Sequence, residues 1–369
     1  MIKKYYNKKN FFILLLFILL LLFLKNYINQ NKIVLSSSNQ DYESNFKIYK
    51  KKVSQIFGLN VHKNNIYATS TFHNRIVKLD LEGNYLSFMN FFGNFEKSIE
   101  NLDDKIIFEN NNKLVGKMPN VHSIDFDIKD NMYISQYIPN PGGNSKGFTF
   151  VPKNCQGNCN ENDIKKFGGF KGVSHSYLDI EKKNLLVADY GDGEELQGDI
   201  YIFNLEDLNI KKKLSKISNH KFKKPHMIRH DTINYYVVDT GNNEIIVLDK
   251  NFNVINKINN DFLDRKNNLK EIFKTITGIA FSDKLIFVSD IGTHSIFAFD
   301  YDWNLKFKIV ENNYTHYNYN KSQTKIKSYS TSPVDLKLHS PFDLFYNNDR
   351  LYIANTHNDE LVMLVFNSY

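Results

Sequence analysis

The sequence predicts an all-β fold, a six-bladed propeller of four-stranded antiparallel blades, and three observations carry that prediction. A short apolar stretch leads six times into a second strand that ends at a polar loop: FGLNVHKNNIYATS (57–70), HSIDFDIKDNMYISQ (122–136), HSYLDIEKKNLLVAD (175–189), HMIRHDTINYYVVD (226–239), TGIAFSDKLIFVSD (277–290) and FDLFYNNDRLYIAN (342–355). These starts recur about 50 to 65 residues apart with no helical periodicity between them, as expected for small sheets arrayed about an axis. The last unit ends without a fourth strand, while the alternating FKIYKKK (46–52) precedes the first unit with no partner of its own. Pairing those two ends would remove an open sheet edge and lock the ring.

The elements follow in order. Residues 1–25 read as a targeting segment, with lysines ahead of a 14-residue apolar run from Phe11 to Leu24 that ends at Lys25. That run is shorter than the about 20 residues of a full span, and no small-residue cleavage site follows it closely. An uncleaved signal-anchor is expected, with the body outside the cytoplasm; cleavage near Ser36 and secretion is the alternative. Residues 26–44 form a polar linker, and 45–369 the propeller. Within each unit the inner strand is the aligned start and the second strand ends near Asp or Asn. Third strands read as NRIVKLD (74–80), NEIIVLD (243–249), HSIFAFD (294–300) and DELVMLVF (359–366), and outer strands as NYLSFMNFF (84–92), NVINKI (253–258) and NLKFKIV (304–310). Long connections at about 93–119, 153–172, 259–275 and 311–339 are expected to crowd the face where the inner strands begin.

The net charge is +7, but residues 1–32 carry six lysines and no acid, which leaves the body at +1. A nearly neutral body has no electrostatic footprint for nucleic acid, and the expected partners are a small molecule or peptide, with the membrane engaged only by the N-terminal segment and the body a monomer. Cys155 and Cys159 are the two cysteines, in VPKNCQGNCNEN. A small disulfide loop, free thiols, or half a metal site are the readings, with the disulfide favoured by the compartment.

One slot at the head of the inner strand holds Phe57, His122, His175, His226, Thr277 and Phe342. Three neighbouring blades thus offer imidazole at the channel mouth, and three neutral histidines with an open position suit zinc or another divalent metal. Asp125, Asp179 and Arg229 lie three or four residues beyond and would complete a polar catalytic site, the two aspartates as acceptors for the second ring nitrogens. A hydrogen-bonded structural ring is the alternative role for the three histidines. His73, His294 and His357 fall in loops after second strands, where a structural role is expected, and the acidic loop DYGDGEELQGD (189–199) reads as solvated.

The elements TSTFHNRIV, VVDTGNNEIIV, VSDIGTHSIFAFD and IANTHNDELV resemble the NHL repeat, over about residues 45–369. That resemblance implies a six-bladed propeller and leaves the activity open. TGIAFSDKLIFVSDIGTHSIFAFDYD is also similar to gluconolactonase-type hydrolases, whose metal is held by a Glu of an early inner strand and an Asn at the position of Thr277; FGLNV supplies no such Glu. The histidine pattern is similar to peptidyl-hydroxyglycine amidating lyases, NHL-type propellers that hold zinc with three histidines. The resemblance implies His122, His175 and His226 as ligands and Arg229 as partner of a substrate carboxylate.

Overall fold

In the computed structural model, residues 46–71, 75–89, 95–97, 120–137, 147–155, 164–191, 197–270, 272–310, 313–316, 327–329 and 336–366 are described. They form six antiparallel sheets. The inner strands are Ile56–His62, Val121–Phe126, Val173–Asp179, Pro225–His230, Ile276–Phe281 and Pro341–Asn347, in blades 1 to 6. Each sheet buries apolar residues against the next: Leu59, Ile66 and Ala68 of blade 1 pack on Tyr352, Ala354 and Met363 of blade 6. Comparable clusters fill the other five interfaces, so the core is a ring of wedges rather than one centre.

The first and last described strands meet. Phe46–Lys52 pairs along its whole length with Glu360–Phe366, in register Phe46↔Phe366 to Lys52↔Glu360, and becomes the outer strand of blade 6. Threonines just past the second strands tie blades together. Thr71 Oγ1 donates to Val121 O at 2.6 Å, Thr240 Oγ1 to Ile276 O at 2.7 Å and Thr356 Oγ1 to Ile56 O at 2.6 Å. Tight turns reuse an aspartate four residues ahead of an asparagine. Asp80, Asp127, Asp249 and Asp300 each accept the backbone N–H of the residue two ahead and of Asn84, Asn131, Asn253 and Asn304, and only the first of these turns has glycine, Gly83, at its left-handed position.

The sequence expectations need three corrections. Blade 1 has a fifth strand, Phe95–Lys97, and blade 5 a fifth and sixth, Asn313–His316 and Lys327–Tyr329, within connections expected to be irregular. In blade 2 the third strand is Gly147–Val151 and the outer strand is Lys165–Phe167, so the segment containing Cys155 joins third to outer strand and turns on the face opposite the other long loops. The largely exposed Lys165–Phe167 lacks an apolar alternation, which hid it. The connection at 259–275 contains a helix, Asn260–Asn267, capped by the Asn259 side chain accepting from Phe262 N at 2.9 Å. Among the described residues no helix is long and apolar enough to cross a membrane. The segment 1–25, the linker 26–44, His73 and Cys159 lie outside the described residues, and with them the expected anchor and disulfide.

Candidate functional site at the channel mouth

Each inner strand opens on a β-bulge, which inserts one unpaired residue where the strand leaves the loop-rich face. The bulged residue is Phe57 in blade 1, His122 in blade 2, His226 in blade 4 and Thr277 in blade 5. In blade 3 it is Ser174, since the shift falls between Val173 and His175. The sequence alignment is therefore one residue out there: His175 pairs with Ala188, as Ser123 pairs with Ser135 and Met227 with Val238. Two chemically similar tripeptides, VHS and SHS, drew that false register.

His122 and His226 come together across the axis. Their ring centroids are 5.3 Å apart, and Phe342 lies 5.5 Å from the first and 4.8 Å from the second. These three residues come from alternate blades, and Phe57 packs beside them at 5.4 Å from His122 and 4.6 Å from Phe342. Above them stand Tyr137 and Tyr190, 5.3 Å from each other, 5.1 Å from His122 and 6.0 Å from His226 respectively. These tyrosines occupy the position that holds the tying threonine in blades 1, 4 and 6.

The tautomers follow from the partners. His122 Nδ1 is 2.6 Å from Ser174 O, and His226 Nδ1 is 2.8 Å from Thr277 O. A carbonyl oxygen only accepts, so both Nδ1 atoms carry hydrogen and each neutral ring keeps its lone pair on Nε2. Burial, with the neighbouring His226 adding to it, pushes His122 down to about 3; burial pushes His226 down to about 4. Both rings are therefore neutral at physiological pH. Both Nε2 atoms are shielded and make no hydrogen bond. The outer partners of the rings are carbonyls of the next blade, not Asp125 or Asp179 as expected.

A second layer lies one to three residues further along the inner strands. Arg229 of blade 4 reaches past Gly278 and Ala280 of blade 5 to Asp343 of blade 6, with Nη2 at 3.5 Å from Asp343 Oδ1 and its guanidinium 5.1 Å from the centre of the Phe345 ring. Asp343 is also fixed by Leu59 N at 2.8 Å and Leu344 N at 2.7 Å. Asp125 Oδ1 accepts from Asn60 Nδ2 at 2.7 Å, while its Oδ2 is shielded and makes no hydrogen bond. Burial raises Asp125 to about 7, against the opposing pull of Arg229 and the Asn60 hydrogen bond. His175 joins the layers: burial first, then Arg229, His226 and His122, hold its pKa well below the ordinary value.

The structure thus brings His122, His226, His175, Asp125 and Arg229 together and leaves Asp179 apart. Asp179 ends the inner strand on the far face, where it accepts from the Tyr235 hydroxyl and from Lys182 N at 3.1 Å. Among the described residues, the group of three His, Cys, Asp or Glu side chains with ligand atoms all within 4.8 Å of one another is His220, Asp239 and Glu244. Asp239 there already accepts from Lys223 N at 2.7 Å and Asn242 Nδ2 at 2.7 Å, a brace for the loop. His294 and His357 also brace loops, through Ser340 N at 3.1 Å and Ser340 Oγ at 2.7 Å. Asn60, Asp343, Tyr137 and Tyr190 were missed. Asn60 stands three residues past its slot, as Asp125 and Arg229 do, and that shared spacing was the readable signal; Asp343 directly follows Phe342 and had none.

No protein-family model and no curated protein matches the sequence. Solved structures do. Virginiamycin B lyase from Staphylococcus aureus matches at a TM-score of 0.50 and 11% identity, over 88% of this chain and 100% of the other. An auxiliary nutrient binding protein from Bacteroides ovatus matches at 0.54 and 8% identity, over 89% and 75% of the two chains. A luciferin-regenerating enzyme matches at 0.52 and 10% identity, over 87% and 95%. At these identities the likeness establishes the six-bladed propeller, an architecture that carries both enzymes and binding proteins.

Proposed function

We propose that this is an NHL-like, membrane-tethered extracytoplasmic propeller that binds a small molecule or peptide at the mouth of its channel. One observation carries the reading. Among the described residues, His122 Nε2, Asp125 Oδ2, His175 Nδ1, Ser176 Oγ, His226 Nε2 and Arg229 Nε are shielded polar atoms without hydrogen bonds, all on the inner strands of three consecutive blades. Shielded polar atoms are normally satisfied, and a cluster of exceptions on one wall supports a site that a ligand completes. His122 and His226 present lone pairs, Arg229 presents a cation to a carboxylate, and Tyr137 and Tyr190 offer aromatic faces at the entrance.

Two of the three expected metal ligands fit a divalent ion: His122 and His226 have the right tautomer, each oriented by a carbonyl on the other nitrogen. The ligand atoms of His122, His175 and His226 do not all lie within 4.8 Å of one another, so a three-histidine centre would need His175, one residue further along its strand, to change rotamer. A zinc-like ion there would polarise a carbonyl or activate water. A metal-dependent lyase or hydrolase is therefore the second reading. Asp125 favours it, because a carboxyl raised to about 7 is poised to give or take a proton near neutral pH.

Zinc titration followed by imidazole ¹⁵N resonances, beside a thermal-shift screen of polar metabolites, tests both readings. Zinc shifts of the two Nε2 signals, absent in His122→Ala and His226→Ala, would establish the metal site. Compounds that raise the melting temperature of the wild type but of neither variant would establish the binding site. If neither zinc nor any compound separates wild type from the variants, the channel mouth is a structural plug.

A further inference from the structure

The face where the inner strands end carries three exposed isoleucines in corresponding turns. Ile128 is 74% exposed, Ile180 42% and Ile233 71%. Each sits in the turn between the inner and second strands, in blades 2, 3 and 4. These turns are built to hold the side chains outside. Asp127 Oδ1 accepts from Lys129 N at 2.8 Å and Asn131 N at 2.9 Å, Asp179 Oδ1 from Lys182 N at 3.1 Å, and Asp231 Oδ1 from Ile233 N at 2.8 Å and Asn234 N at 2.7 Å. The equivalent turns of blades 1, 5 and 6 present Lys63 and Asn64, Asp283 and Lys284, and Asn348 and Asp349. Single exposed apolar residues are ordinary, but one in the corresponding turn of each of three consecutive blades forms a crescent over half the disc.

The chain enters the disc on that same face. Lys52 pairs with Glu360 at the loop-rich end of blade 6 and Phe46 with Phe366 at the other end, so the first described strand begins on the isoleucine side. The preceding sequence is a polar stretch of about 20 residues and then the apolar run Phe11–Leu24. A stretch of about 20 residues reaches at most roughly 70 Å, which bounds how far the disc can stand from that run. The entry point is on blade 6, and the crescent is centred on blade 3, diametrically opposite.

We propose that the isoleucine face docks on the lipid surface, with Ile128, Ile180 and Ile233 set among the headgroups and acyl boundary. This rests on the tethered reading above. Tether on one side and apolar tips on the other form two attachments, which hold the disc flat and turn the channel mouth away from the membrane. Other occupants of the face, a second copy or a separate protein, are outcomes of the test.

The test uses the full chain in vesicles of phosphatidylcholine and phosphatidylglycerol with brominated acyl chains. Ile180→Trp and Ile233→Trp are compared with Lys274→Trp on the loop-rich face, with buried Trp303 as constant background. The expected result is co-flotation with the vesicles and loss of about half the added emission from the two isoleucine positions, with none from position 274. Co-flotation with all three positions equally unquenched overturns the docking and leaves the tether standing. Protection of positions 180 and 233 from aqueous acrylamide without lipid quenching assigns the face to a protein and also overturns it. Failure to float removes the tether and the docking together.

Discussion

The channel has two unlike walls. Blades 2, 3 and 4 line it with His122, Asp125, His175, His226 and Arg229, whereas blades 5, 6 and 1 offer Gly278, Ala280, Phe342, Phe345, Phe57 and Gly58, with Thr277, Asp343 and Asn60 as their polar members. The polar members of the second wall have partners: Asp343 accepts two backbone N–H groups, Asn60 donates to Asp125, and Thr277 Oγ1 lies 3.5 Å from Pro341 O. Among the described residues, no shielded and unbonded polar atom lies on an inner strand of blades 5, 6 or 1, against six on the other wall. Both walls belong to the same ring, with the same bulges and equally well-packed interfaces. The asymmetry therefore belongs to the site and is no consequence of the fold, and the small residues of one wall leave room for Arg229 of the other to cross.

Removing the one cation of the polar wall should have the largest effect. Arg229→Met leaves Asp343 and Asp125 facing each other without it, and should lower stability at pH 8 by about 3–5 kcal/mol, measured by chemical denaturation. The loss should shrink at pH 5, because both carboxyls are raised by burial and take up protons. An equal loss at the two pH values would mean that packing on Phe345, rather than charge, is the role of Arg229.

Asp125→Asn should act in the opposite direction. The folded pKa of Asp125 is raised, so the neutral form is favoured and the cost of the carboxylate appears as pH rises from about 4 through about 7. Asparagine keeps the acceptor for Asn60 and never ionises. The variant should gain about 2 kcal/mol at pH 8 and nothing at pH 4. A variant no more stable than wild type at pH 8 would place water or an ion beside Asp125.

The smallest effect should come from making the polar wall resemble the other. His122→Phe puts into blade 2 the residue that blades 1 and 6 carry, removing one hydrogen bond and one unbonded nitrogen, and stability at pH 7.5 should change by no more than about 1 kcal/mol. It should also flatten the acid limb. His122 is pushed down to about 3, so wild-type stability falls as pH drops below about 6.5, where the unfolded ring takes up a proton first. A loss of several kcal/mol at neutral pH would make His122 a structural keystone.

The six units, their period and the closing strand were legible because apolar alternation reports burial directly, and the unpaired FKIYKKK called for a partner. The outer strand of blade 2 was not, since KKF at the rim buries little and leaves no pattern. The histidine slot was legible in blades 2 and 4, where a bulge places the ring. It misled in blade 3, because a bulge inserts a residue without any mark in the sequence. The second layer, where Arg229 meets Asp343 from a blade two units away, depends on small residues in the blade between them, and no local pattern records such a contact.

Closure by Phe46–Lys52 has a consequence for how the protein is made. The first described strand pairs with the last, at sequence separations from about 308 to 320 residues, so the contact that completes the ring joins a strand to one synthesised more than 300 residues later. Blades 1 to 5 have all their strands before the final unit appears, while the lysine-rich strand must wait with an unsatisfied edge until Glu360–Phe366 arrives. Native topology of this kind is slow to form, and the waiting edge of an incomplete disc is where one chain would most readily capture another.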